Sequence, residues 1–191
     1  MRSGGEITTD VELLQRIASG DVLAVAELYD RHARMLLGLS LRIVRDRSEA
    51  EDVVHDAFVV VGERAKQYIP ERGAVGAWLV TLVRNLSIDR TRRRERRGAI
   101  ARDVLAYDPE ALAAATPVDP ETRAAGADDR ERVRRALSSL PDVQRATLET
   151  AFYEGLTYAE IALREGVPLG TIKSRAARGL AALRDALGDE R

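Results

Sequence analysis

The stretch from Arg84 to Arg97, RNLSIDRTRRRERR, sets seven arginines against two acids, a net charge of +5. Guanidinium groups at that density can neutralise phosphates with release of counterions, and Arg or Asn forks can pair with the edges of bases. The opposite charge collects from Asp46 to Glu63, where six acids accompany one arginine, net −5. Within it Asp52, His55, Asp56 and Val59 recur at offsets of three, four and seven, so they share a helix face. Such a face repels nucleic acid and suits a basic protein surface. A third group, Thr171, Lys173, Ser174, Arg175 and Arg178, follows closely on Pro168. Those residue types near a helix N-terminus suit entry into a major groove.

This is the chemistry of recognition rather than of bond-making. The chain has two histidines, His32 and His55, and no cysteine. It has no Gly-x-x-x-x-Gly-Lys-Ser/Thr loop for phosphates, and its acids lack the spacing of an EF-hand. No catalytic residue, cofactor or metal is expected, and the chain is not read as an enzyme. Each charged group also has a plainer reading. The basic run can be a solvated helix end whose cations suit the macrodipole, and the acidic run a solvated face. The C-terminal helices can be an αα-hairpin with a charged outer side. Arginine as a residue type carries little weight, because lysine occurs only at Lys66 and Lys173 and the other 28 of the 30 basic residues are arginine. Position has to carry the inference.

The positioning elements are helices. Apolar residues recur every three to four positions almost throughout, and glycine and proline avoid the apolar segments. The spacing predicts a first helix opened by the capping box Thr9-x-x-Glu12 and closed at Gly20. A second is capped by Asp21 and runs to about Arg45. A third is opened by Ser48-x-x-Glu51 and runs to about Tyr68, with Val54, Phe58 and Val61 on its core side. A fourth runs from about Ala74 into the arginines. On it Trp78, Leu79, Leu82, Val83 and Leu86 form a burying stripe, while Asn85, Asp89, Arg92, Arg93 and Arg96 form a polar one. Residues 98–127 lose the periodicity and read as a flexible, acidic linker. Beyond it, Thr157-x-x-Glu160 opens a short helix, Gly166 supplies a left-handed turn, and a longer helix follows Pro168: a helix-turn-helix signature. Its buried stripe is expected at Ile172, Ala176, Leu180, Leu183 and Leu187. The fold class is all-α: two small helical domains, 1–97 and 128–191, joined by the linker 98–127.

Composition fits. Of 191 residues, 45% are hydrophobic and 32% charged, and the formal net charge of −1 hides the two opposed segments, which nearly cancel. No apolar run is long enough to span a membrane, so no direct membrane insertion is expected. The start, MRSGGEITTD, lacks the apolar core of a signal peptide. The expected location is the cytoplasm.

Three motifs in order, AEDVVHDAFVVVGERA, RGAVGAWLVTLVRNLSIDRTRRRERR and EGLTYAEIALREGVPLGTIKSRAARGLAAL, resemble an extracytoplasmic-function (ECF) sigma factor of the sigma-70 family. The resemblance covers residues 21–97 and 128–187. It implies a chain that binds core RNA polymerase, through its clamp helices and flap, and directs it to promoter DNA. Asp52, His55, Asp56 and Phe58 fall where the family meets the clamp helices. His55 stands where the family often has Gln, which implies a polar contact and no metal. Trp78, Arg84, Asn85, Asp89, Arg92 and Arg93 fall on the helix that reads and opens the −10 element. The loop from Tyr68 to Gly73 resembles the one that receives a base flipped from the melted strand, with Tyr68 as a stacking face and Arg72 as a cation. Thr171, Lys173, Ser174, Arg175 and Arg178 fall on the −35 recognition helix. The resemblance also implies sequestration by an anti-sigma factor. The rival is an autonomous helix-turn-helix regulator, which needs neither the tryptophan-bearing basic helix nor the acidic one.

Overall fold

Thr9 opens the first helix as its sequence requires. Its hydroxyl accepts from the Glu12 amide at 3.2 Å, and the Glu12 carboxylate accepts from the Thr9 amide at 2.6 Å. The computed structural model describes residues 8–102 and 127–188, and among these every regular element is a helix or helical turn. The chain is all-α and falls into two compact units, divided between Ala115 and Thr116.

The first unit holds α1 (Asp10–Ala18), α2 (Val22–Val44), α3 (Arg47–Arg64) and α4 (Val75–Arg102). Asp21 caps α2, accepting from the Leu23 and Ala24 amides at 2.9 and 3.3 Å. α2 is the central element: α1, α3 and α4 all pack on it. Leu13, Leu14, Leu28, Leu36, Val54, Val61, Leu79 and Val83 are fully buried between them. Two hydroxyls share this interior. Ser87 Oγ lies 3.0 Å from Ser40 Oγ and donates back to the Val83 carbonyl at 2.8 Å, which leaves neither buried group unsatisfied.

Three expectations change here. The cap of α3 is Asp46, whose carboxylate accepts from the Glu49 amide at 2.8 Å, and not Ser48. Two overlapping Asp/Ser-x-x-Glu patterns compete, and the left-handed turn at Arg45 (φ 59°) selects the earlier one. α3 ends at Arg64 rather than near Tyr68, because the chain tightens into a 3-10 turn at Ala65–Gln67. α4 continues to Arg102, five residues past the boundary read at Arg97. Most of the acidic linker lies outside the described residues.

The second unit holds α5 (Ala127–Ser138), α6 (Asp142–Glu149), a π turn at Thr150–Glu154, α7 (Tyr158–Glu165) and α8 (Leu169–Gly188). Thr157 and Glu160 form the expected capping box, with bonds of 3.2 and 2.7 Å. Gly166 takes the left-handed turn at φ 66°. Ile161, Ala162 and Ile172 form the core of the helix-turn-helix, lined by Ala151, Leu156, Tyr158 and Val167. The buried stripe of α8 runs through Ile172, Ala176 and Gly179, and Leu180 is 47% exposed. Of the expected stripe, Ile172 and Ala176 are buried and Leu183 and Leu187 half-buried, while Leu180 turns outward and Gly179 is buried in its place. The cause is a close helix crossing: a Cβ on Gly179 would stand 2.9 Å from Leu148 Cδ1 and 3.4 Å from Gln144 Cβ on α6.

Candidate nucleic-acid interfaces and the acidic face

α4 carries its charge on two sides that the sequence merges. Its apolar stripe buries Val75, Leu79 and Val83, so Asn85, Asp89, Arg92, Arg93 and Arg96 turn outward and are exposed. Arg90 and Arg94 turn the other way, toward α3. Arg90 donates to Asp52 at 3.0 Å and lies 3.8 Å from Glu49. Arg94 lies 3.7 Å from Glu49 and donates to the Val44 carbonyl at 3.0 Å, closing the C-terminal end of α2. Arg84 is half-buried and donates to Asn85 Oδ1 at 3.1 Å. Burial, and then the charge of Arg92, pull its pKa below the usual arginine range. Arg84 is less well solvated than a surface arginine and lies within the field of another. An anion relieves both penalties.

The loop ahead of α4 is anchored by an aromatic pair. Tyr68 and Trp78 are both half-buried, with ring centroids 5.8 Å apart and planes inclined by 57°. The Tyr68 hydroxyl donates to the Gly73 carbonyl at 2.8 Å, which ties the two ends of the loop. Between them a 3-10 turn at Pro70–Arg72 closes on Gly73, whose φ of 132° favours glycine. Ile69 and Arg72 are exposed on this loop. The loop thus sets an aromatic ring and an exposed cation directly ahead of α4, the helix that carries the arginines.

α3 presents Asp52, His55, Asp56 and Val59 to solvent and buries Val53, Val54, Ala57, Phe58 and Val61. Phe58 is not part of the exposed face. Its ring packs edge-on against Tyr29 of α2 at 4.9 Å and is 5% exposed, so it supports α3 from behind. Asp52 keeps its exposure while holding Arg90, whereas Asp56 stands on the outer face in ion-pair contact with none of its described neighbours.

In the second unit Lys173, Ser174 and Arg178 are exposed on the first turns of α8, with Thr171 half-buried beside them. Arg178 is oriented by Ser174, donating to its hydroxyl at 2.8 Å and its carbonyl at 3.3 Å. Arg175 points inward. Its side chain is only 20% exposed and donates to Glu165 at 2.8 Å, bracing α8 against the end of α7. α7 is held in turn to the π turn through Arg164, which reaches Glu154 and Thr150. Gly179 escapes a reading by residue type because its role is a close approach. Arg94 escapes because its partner, the Val44 carbonyl, is 50 residues away in sequence. No group of acids, histidines or cysteines among the described residues is arranged to hold a metal ion. No described helix is long and apolar enough to cross a membrane.

Known proteins resemble this chain in sequence over both units. Residues 28–97 match the model of Sigma-70 region 2, and residues 130–183 match Sigma-70, region 4. The chain is 36% identical over 188 residues to the ECF RNA polymerase sigma factor SigK of Mycobacterium sp. (strain KMS), covering 95% of this chain and 93% of that one. It is 34% identical over 182 residues to SigK of Mycobacterium bovis (strain BCG / Pasteur 1173P2), with 95% of each chain covered. Rhodobacter sphaeroides SigE, solved in complex with the anti-sigma ChrR, is 30% identical, with 95% of this chain and 99% of that chain covered and a TM-score of 0.47. The two family matches fall one in each unit, in the order of the motifs, and the chain belongs to the extracytoplasmic-function sigma factors of the sigma-70 family.

Proposed function

We propose that this chain acts as a promoter-reading subunit of RNA polymerase, with its recognition divided among the three surfaces described. The exposed acids of α3, Asp56 foremost with Asp52, and His55 beside them bind a basic surface on core polymerase. Tyr68, Arg72 and Trp78, with Arg84, Asn85, Asp89, Arg92 and Arg93, read and hold the melted −10 strand. Lys173, Ser174 and Arg178, with Thr171, read the −35 duplex from the major groove, and Arg175 fixes the helix that carries them. Residues 1–97 and 128–191 serve as the two reading domains and 98–127 as their connector. The chain performs no catalysis of its own, works in the cytoplasm, and is regulated by an anti-sigma factor that covers the same surfaces.

The observation that carries this reading is the Tyr68–Trp78 pair at the start of α4, the helix whose later turns expose Arg92, Arg93 and Arg96. A regulator confined to duplex DNA has no need of a stacking platform outside its helix-turn-helix. A factor that opens DNA does. Each base step unstacked costs about 1.4 kcal/mol, and stacking a freed base on an aromatic ring returns about 1–3 kcal/mol. The test is promoter opening by chain and core polymerase together, read by the reactivity of unpaired thymines. Tyr68→Ala is expected to lower opening about tenfold while leaving binding to core unchanged. Opening at the wild-type rate in that variant contradicts the assignment of the loop.

A further inference from the structure

α1 precedes the residues matched by the region 2 model, which begin at residue 28. It contributes nothing to the three recognition surfaces, yet it is fastened with unusual thoroughness. Asp10, its first residue, has both carboxylate oxygens engaged by α2: Oδ1 accepts from Arg31 at 3.0 Å and Oδ2 from His32 Nε2 at 2.7 Å. A carboxylate only accepts, so Nε2 carries the proton. Arg31 also donates to the Thr8 carbonyl at 2.6 Å and to Glu27 at 2.5 Å. At the other end Arg16 donates to Asp21 at 2.9 Å and to Glu27 at 3.5 Å.

Between these two fastenings α1 buries Leu13, Leu14 and Ile17 and packs on the 3-10 turn Ala65–Gln67, which leads directly into Tyr68. These residues belong to the same core as Ala65 and Val75, against which Tyr68 and Trp78 pack. The His32 ring, only 16% exposed, also lies close to the start of the helix that follows the loop: its Cε1 is 3.7 Å from where a Cβ on Gly76, in the first turn of α4, would stand. The loop Tyr68–Gly73 is thus strung between a turn that α1 supports and a helix start that His32 supports.

We propose that His32 is a positioning residue for the −10 reader: its bond to Asp10 is a latch that fixes both ends of the Tyr68–Gly73 loop, so the base-receiving site is formed before a base arrives. This rests on the reading of that loop given above. A preformed loop removes an ordering cost that the captured base would otherwise have to offset.

The test uses the full chain and three variants. His32→Ala and Asp10→Ala cut the latch from either side, and His32→Gln keeps an N–H donor of similar reach. The first readout is amide hydrogen exchange in the free chain at Tyr68, Arg72 and Gly73, whose amides donate to the Ala65, Ile69 and Pro70 carbonyls at 3.2, 3.0 and 3.1 Å. Exchange there is expected to rise about tenfold in both alanine variants, the factor one charge-assisted hydrogen bond supplies, with the amides of α3 unchanged and His32→Gln close to wild type. The second readout is promoter opening with core polymerase, expected to fall by a similar factor at unchanged affinity for core. Unchanged exchange at the loop overturns the proposal, as does faster exchange spread evenly over α1 to α4, which makes His32 a general packing residue. A loosened loop with undiminished opening also overturns it. Failure of the wild-type chain itself to open a promoter removes the reading on which the proposal rests, and the wild-type control tells that failure from the others.

Discussion

Seven arginines between Arg84 and Arg97 look alike in the sequence, and the structure separates them by what they touch. Arg92 and Arg93 are exposed on the outer side of α4, and Arg94 closes the end of α2 through the Val44 carbonyl. Opposite outcomes are expected on substitution. Arg92→Ala and Arg93→Ala lower promoter opening and flatten its dependence on salt, each by about one counterion. Arg94→Ala lowers the stability of the chain by about 1 kcal/mol, read by urea unfolding, and acts on opening only through that loss. In the second unit Arg178, held in one orientation by Ser174, is expected to discriminate a base. Arg178→Ala costs about 1–3 kcal/mol of −35 preference, measured as the affinity ratio between a promoter and its −35 variant, and leaves polymerase binding intact. The inward turns of Arg90, Arg94 and Arg175 were not legible beforehand, because each depends on a partner that only the tertiary fold brings near. The outward turn of Arg92 and Arg93 was legible, because it follows from the 3.6-residue period and the position of Trp78 and Leu79.

At the scale of elements the capping boxes were the most readable features. Thr9 with Glu12 and Thr157 with Glu160 stand where their spacing placed them, since a cap is satisfied within four residues and needs no distant partner. Where two boxes overlapped, at Asp46 and Ser48, local pattern alone was insufficient, and the turn at Arg45 settled the register. Leu180 shows the same limit from the packing side: it lost its buried place to Gly179 because α6 crosses so near. Phe58, which the resemblance set among the contact residues, is buried against Tyr29 on the core side, where the helical period placed it. That crossing is testable. Gly179→Ala is expected to be nearly neutral, the gain of about 1 kcal/mol in helix propensity offsetting the displacement of the Leu148 methyl. Gly179→Val is expected to cost about 2 kcal/mol in urea unfolding followed by circular dichroism. The junction of α1 and α2 carries a pH signature. The Asp21 carboxyl is held below its usual value of 3.8 chiefly by the hydrogen bond from Arg16. Its folded pKa is depressed, so its contribution to stability is present above the usual carboxylate range and disappears as pH falls through it. The stability difference between wild type and Asp21→Asn should therefore narrow on acidification below about pH 4, in a series of unfolding curves at fixed ionic strength.

For the whole molecule, a net charge of −1 conceals an acidic helix packed against a basic one. Part of that opposition is internal, through Arg90 and Arg94 to Asp52 and Glu49, and it steadies the corner where α2, α3 and α4 meet. What is left over is exposed: acids on α3 and arginines on α4. The all-α class and the order of the two units were legible in the sequence, since they rest on periodicity and on three motifs. Asp56→Arg is expected to abolish binding to core polymerase while leaving the far-ultraviolet circular dichroism of the chain unchanged. Asp52→Arg should do the same with an added loss of stability, because it sets a second cation beside Arg90.

On the reading proposed above, the surfaces on both units serve one act, the placing of polymerase at a promoter. The most direct test of that reading is transcription in vitro with purified chain, core polymerase from the same organism and fragmented genomic DNA, followed by sequencing of the transcript 5′ ends. The result expected is a set of discrete starts that share two upstream elements and vanish when the chain is omitted. Starts that are the same with and without the chain, from a core enzyme shown to be active, would contradict it.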